Sequence, residues 1–108
     1  MKLVYDDGDL RVQGLDRSAK PLVTLRFLSD VLLIRIVDEG VRLRLLREMP
    51  PMRALLLVDQ QSELVRWVFD EGLETRDMRD VRHFMIFIGQ EIVDVIAFDD
   101  PKITMHHV

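Results

Sequence analysis

Apolar and polar residues alternate with a period of two along much of this chain, and the pattern is clearest in its last third. From Arg82 to Phe98 two strand-like runs, RHFMIFIG and QEIVDVIAF, meet at Gly89-Gln90. A two-residue loop with glycine first suits a hairpin turn that needs a positive φ at that position. The loop sets the register: Ile88 opposite Glu91, Ile86 opposite Val93 and Phe84 opposite Val95. One face of the ribbon is then almost wholly apolar, and Met85, Phe87 and Asp94 fall on the other.

The same reading applied upstream gives a series of short elements. Lys2 to Tyr5 and Asp9 to Leu15 flank the acidic turn Asp6-Asp7-Gly8 and form an edge hairpin. Residues 15–21 gather charges and turn formers and connect to the next strand pair, Leu22 to Leu28 and Val31 to Val37, joined by Ser29-Asp30. After Asp38-Glu39-Gly40, VRLRLL alternates Val41, Leu43 and Leu45 with Arg42 and Arg44, which suits a strand of a second hairpin. Glu39 is a poor residue for a positive φ, so the register of this 31–47 hairpin stays open, and a short helix over 41–49 is the alternative. Pro50-Pro51 ends the element, and Ala54 to Val58 follows as a buried strand.

One segment has helical spacing. Leu64, Val65, Val68 and Phe69 form a stripe at three- and four-residue intervals, with Gln61 or Ser62 to start the helix, Gly72 to end it and Trp67 beside the stripe. Beyond the final hairpin, Pro101 breaks the chain and Ile103 to His106 adds a short edge strand. The order of elements predicts an α+β chain in a single domain over residues 1–108. It is mostly antiparallel β, a bent sheet or open barrel of about seven to nine short strands, with one helix near residues 61–71.

Composition narrows the class. With 48% hydrophobic and 31% charged residues in 108, the chain lies far from disordered compositions and suffices for one hydrophobic core. There is no cysteine, which excludes a disulfide framework and a thiol nucleophile. Carboxylates enter at Asp6, before a signal-peptide core could form, and Arg35, Asp38 and Asp94 interrupt the longest apolar runs. A cytoplasmic protein with no membrane partner is the expectation. Net charge is −4, with nine basic and eight acidic residues in 1–50 against six and eleven in 51–108. That balance lacks the basic footprint of a nucleic-acid binder.

Candidate chemistry is sparse, and the reading assigns no catalytic residue, no cofactor and no metal. His106 and His107 are adjacent, so on a strand they point to opposite sides and do not share one metal. A metal set of His83, one of that pair and Asp94 is geometrically open, against which stands an ordinary hydrogen-bonded histidine. Asp94, inside an apolar run, is read as an outward-facing strand residue before a functional carboxylate. Ser18, Ser29 and Ser62 lie in a loop, a turn and a helix start, without the glycine setting of a nucleophile elbow. Arg76, Arg79 and Arg82 recur every three residues, on a face that Asp77 and Asp80 neutralise. Arg35, Arg42 and Arg44 form a basic stripe, and the strands carry apolar residues on both faces, which demands cover from the helix, a partner or a second copy.

Three stretches resemble small bacterial immunity proteins that accompany polymorphic toxins: Phe27 to Gly40 with RIVDEG, SELVRW at Ser62 to Trp67, and Arg82 to Pro101 with RHFMIFIG and VDVIAFDDP. The resemblance implies a cytosolic protein-binding role without catalysis and transfers no functional residue. The preferred expectation is therefore a non-enzymatic protein that binds another protein, a toxin in the immunity case, with Arg35, Arg42, Arg44, Trp67, Met85 and Phe87 as contact candidates. The first alternative is a small-molecule or metal-binding protein, hydrolytic in one version, with its site near His83 and Asp94. The second is a structural homodimer.

Overall fold

The computed structural model describes residues 1–28, 30–48 and 55–106. Among the described residues, eight strands form two four-stranded antiparallel sheets. The first sheet has the order β1 (Lys2–Asp6), β2 (Asp9–Leu15), β3 (Pro21–Phe27) and β8 (Lys102–Met105). The second has the order β4 (Val31–Asp38), β7 (Glu91–Ala97), β6 (Arg82–Ile88) and β5 (Leu56–Asp59). Helices α1 (Leu43–Glu48) and α2 (Glu63–Glu71) accompany the second sheet. The α+β, mostly antiparallel class holds, as two separate sheets rather than one bent one.

The main core lies between the sheets. Leu10 and Val12 of β2 and Val23, Leu25 and Phe27 of β3 pack against Phe84, Ile86 and Ile88 of β6 and Val93, Val95 and Ala97 of β7. Phe27 and Phe84 meet edge to face, ring centroids 5.4 Å apart. The β6–β7 register is the one that the Gly89-Gln90 loop dictates, with Ile86 opposite Val93 and Phe84 opposite Val95. Gly89 takes φ +59°, as that turn requires. The β1–β2 hairpin likewise turns on Asp7 and Gly8, both at positive φ.

Two sequence expectations change. Leu22 to Leu28 and Val31 to Val37 are not a hairpin: β3 pairs with β2 and β8, and β4 pairs with β7 in the other sheet. Strand β4 carries apolar residues on its two faces, and in the second sheet most of them are half-buried while Ile36 stays exposed. Ser29 of the expected connection lies outside the described residues, as do residues 49–54, 107 and 108.

The run after Gly40 is helical rather than a strand. Asp38 caps a 3-10 turn over Glu39–Val41 by accepting the Gly40 N–H at 2.8 Å, and α1 follows. Arg42, Leu45 and Leu46 are half-buried while Leu43, Arg44, Arg47 and Glu48 are exposed, the i, i+3, i+4 spacing of a helix face. The helix predicted near 61–71 forms over Glu63–Glu71, with Ser62 as N-cap and Gly72 as C-cap. Its stripe, Leu64, Val65, Val68 and Phe69, is half-buried. No helix among the described residues is long and apolar enough to cross a membrane.

Candidate functional site

The far face of the second sheet, away from the first, carries His83 and Met85 on β6, Ile92, Asp94 and Ile96 on β7, Arg35 on β4 and Asp59 on β5. Cross-strand register brings the polar members together. Arg35 pairs directly with Asp94, and Asp59 with His83. Asp94 faces Met85, two residues along from His83, so carboxylate and imidazole are diagonal neighbours. Asp94 is fully buried and His83 is 3% exposed. The outward position expected for Asp94 is therefore incorrect: helices cover the side of the sheet on which it stands.

A fully buried carboxylate demands partners, and Asp94 has three. Its Oδ1 accepts from His83 Nε2 at 2.6 Å, and its Oδ2 accepts from Arg35 Nε and Arg42 Nη1, both at 2.9 Å. Burial pushes the carboxyl pKa up, but hydrogen bonds from His83 and Arg35 and the charges of Arg35 and Arg42 outweigh it, leaving the group below the ordinary aspartate value. Because a carboxylate only accepts, the shared proton sits on His83 Nε2, and in the neutral ring Nδ1 is then an acceptor. Ser62 Oγ lies 2.7 Å from that Nδ1. The same hydroxyl oxygen accepts the Val65 N–H at 3.0 Å, the N-cap bond of α2. Asp59 Oδ2 stands 3.7 Å from Nδ1.

The network thus ties four elements to β7: β6 through His83, β4 through Arg35, the start of α1 through Arg42, and, by way of His83, the start of α2 through Ser62. Among the described residues no buried side-chain polar atom lacks a hydrogen-bond partner. The charges of Arg35 and Arg42 balance those of Asp94 and Asp59, and Arg35 and Asp59 keep part of their side chains in solvent.

Above His83, α1 and α2 leave a groove of about 800 Å³ whose walls include Arg35, Val41, Arg42, Arg44 and Leu45 on one side and Asp59, Glu63, Leu64 and Trp67 on the other. Four of the six contact candidates, Arg35, Arg42, Arg44 and Trp67, share this groove. The arginines do not form the simple exterior stripe read from the sequence. Arg35 and Arg42 turn toward Asp94, and Arg44 is exposed beside Glu48 at 3.4 Å. Trp67 is 53% exposed, Val41 76% and Leu43 66%. Met85 is buried and Phe87 half-buried, so Met85 offers no contact surface.

The proposed metal set is not assembled. Both ring nitrogens of His83 are engaged by Asp94 and Ser62, His106 bonds Thr24 on β3 at 2.8 Å, and His107 lies outside the described residues. Among the described residues no group of three or more His, Asp or Glu side chains is placed to hold a metal. The Arg76, Arg79 and Arg82 row is not helical: Arg79 pairs with Asp77, and Arg82 with Asp100.

The sequence reading sets Ser62 aside as a nucleophile, because it lies at a helix start without the glycine setting of an elbow. Its link to His83 depends on the β5–β6 pairing, which no local pattern announces. Comparison of the chain with protein-family models, curated proteins and solved structures returned no match.

Proposed function

We propose that this chain works by binding another protein through the groove between α1 and α2. The observation that carries this reading is the convergence of Arg35, Arg42, Arg44 and Trp67, drawn from a strand and two helical segments, on one concave surface. Tryptophan and arginine supply a disproportionate share of binding energy at interfaces. Val41 and Leu43 add exposed aliphatic surface beside them. The salt bridges to Asp94 hold Arg35 and Arg42 in place before a partner arrives, which lowers the entropy lost on docking.

The form suggested by the sequence resemblance is a cytoplasmic bacterial immunity protein whose partner is a toxin. Binding of this kind requires no turnover. The test is calorimetry of the purified chain with the product of a toxin gene adjacent to its own, comparing wild type with Trp67→Ala and Arg44→Ala. Both side chains are largely solvent-facing, so unfolding curves should stay within about 0.5 kcal/mol of wild type. Trp67→Ala is expected to weaken binding by about 30-fold, as loss of a hot-spot residue does. Affinity unchanged by either substitution would remove the groove as the docking site.

A further inference from the structure

We propose that Ser62, His83 and Asp94 form a nucleophile-activating relay, with Ser62 as the attacking group and an ester or thioester with an apolar acyl chain as its substrate class. This goes beyond partner binding and does not depend on it. The contacts run in the order such chemistry needs: Ser62 Oγ to His83 Nδ1 at 2.7 Å, and His83 Nε2 to Asp94 Oδ1 at 2.6 Å. Asp94 accepts a hydrogen bond from the Nε2–H, so the Nδ1 lone pair meets the serine hydroxyl. Either ring nitrogen can act as the base, provided the other is held by the carboxylate. Arg35 and Arg42 on the second carboxylate oxygen keep Asp94 ionised and oriented.

Two features surround the hydroxyl. Ser62 caps a nine-residue helix, and Val65 N–H is spent on Ser62 Oγ. The remaining first-turn N–H groups, those of Glu63 and Leu64, have no intrahelical acceptor and sit at the positive end of α2, where an oxyanion is stabilised. Ser62 also borders a second cleft of about 910 Å³, with Val65, Phe69, Met78 and Val81 among its walls; Glu63 and Asp77 line it too, Asp77 being paired with Arg79, and Arg66 and Arg76 lie beside them. Those apolar walls suit an acyl chain, and the arginines suit a leaving group that carries negative charge.

In the acylation step Ser62 Oγ bonds to the carbonyl carbon and its proton passes to His83 Nδ1. The carbon–oxygen or carbon–sulfur bond to the leaving group then breaks, and that group departs with the proton. A water molecule next attacks the acyl-serine, gives its proton to Nδ1, and the acid leaves as Ser62 Oγ regains that proton. Atoms and charge balance with no further reactant. Ser62 and His83 are the catalytic residues, and Asp94 is a positioning residue.

The test uses an alkyl fluorophosphonate probe on the folded chain, read by intact mass and peptide mapping. Ser62 Oγ would bond to phosphorus with loss of fluoride, the serine proton leaving to solvent through His83. The expected result is a single adduct at Ser62, formed about 100-fold or more faster than at the exposed Ser18, the scale of general-base assistance. His83→Gly should abolish the adduct and free imidazole should restore it. Asp94→Asn should lower the maximal labelling rate with the half-saturating probe concentration unchanged. No adduct on the wild-type chain, labelling of Ser62 no faster than Ser18, or labelling indifferent to His83→Gly would overturn the proposal.

Discussion

Replacing Asp94 with asparagine keeps the shape of the side chain and removes its charge, and the structure sets the scale of the loss. Three hydrogen bonds converge on a carboxylate with no solvent exposure. Breaking a buried pair from one side costs about 3–5 kcal/mol, because the remaining charge is left without compensation. The arginines moderate this figure, since the Arg35 side chain is 40% exposed and can rehydrate, while Arg42 is only 20% exposed. We therefore expect the lower end, about 3 kcal/mol, from a total stability on the order of 5–15 kcal/mol. In urea, with a slope of about 1–3 kcal/mol per molar, the midpoint should fall by about 1–3 M. Asp77→Asn is the matched control, since its ion pair with Arg79 is solvent-exposed and should contribute almost nothing. An Asp94→Asn midpoint that coincides with that of Asp77→Asn would refute the assignment of Asp94 as a buried anchor.

Three further expectations follow from the same structure. The folded-state pKa of Asp94 lies below its unfolded value, so the unfolded chain takes up that proton first on acidification. Its stabilisation should be complete above about pH 4 and decline below it, and urea midpoints measured across that range should show a shallower decline in Asp94→Asn. Gly89→Ala should destabilise by about 1–2 kcal/mol in thermal unfolding, because φ is +59° and a Cβ there meets no atom within 4 Å, leaving backbone strain as the whole effect. Phe84→Ala should cost about 3–5 kcal/mol by the same assay, since the ring is fully buried against Phe27 between the sheets.

The final hairpin was legible because its loop and its alternation agree: Gly89 supplies the turn, and the register then follows residue by residue. The α2 helix was legible for a similar reason, with Ser62 and Gly72 marking its ends around an apolar stripe. Partner choice between strands was not. Nothing local in Leu22 to Val37 distinguishes a hairpin from two strands that part into different sheets, because that choice is decided by which faces need cover. Arg42 misled for a related reason, since VRLRLL satisfies a two-residue period and a helical one equally over so short a span.

The buried cluster had one signal in the sequence. Asp94 shares its strand face with Ile92 and Ile96, both of which are buried, so that face had to be covered and the carboxylate with it. Its partners were hidden, because Arg35 and Arg42 lie more than fifty residues away and Ser62 reaches His83 only through the pairing of β5 with β6.

Nitrogen-15 NMR of the His83 ring addresses the network at its centre. With Asp94 accepting from Nε2 and Ser62 donating to Nδ1, the neutral ring should carry its proton on Nε2, and that proton should exchange slowly with water. A proton on Nδ1, or an Nε2 proton lost rapidly to solvent, would contradict the linkage that ties the start of α2 to the sheet and on which the serine relay rests.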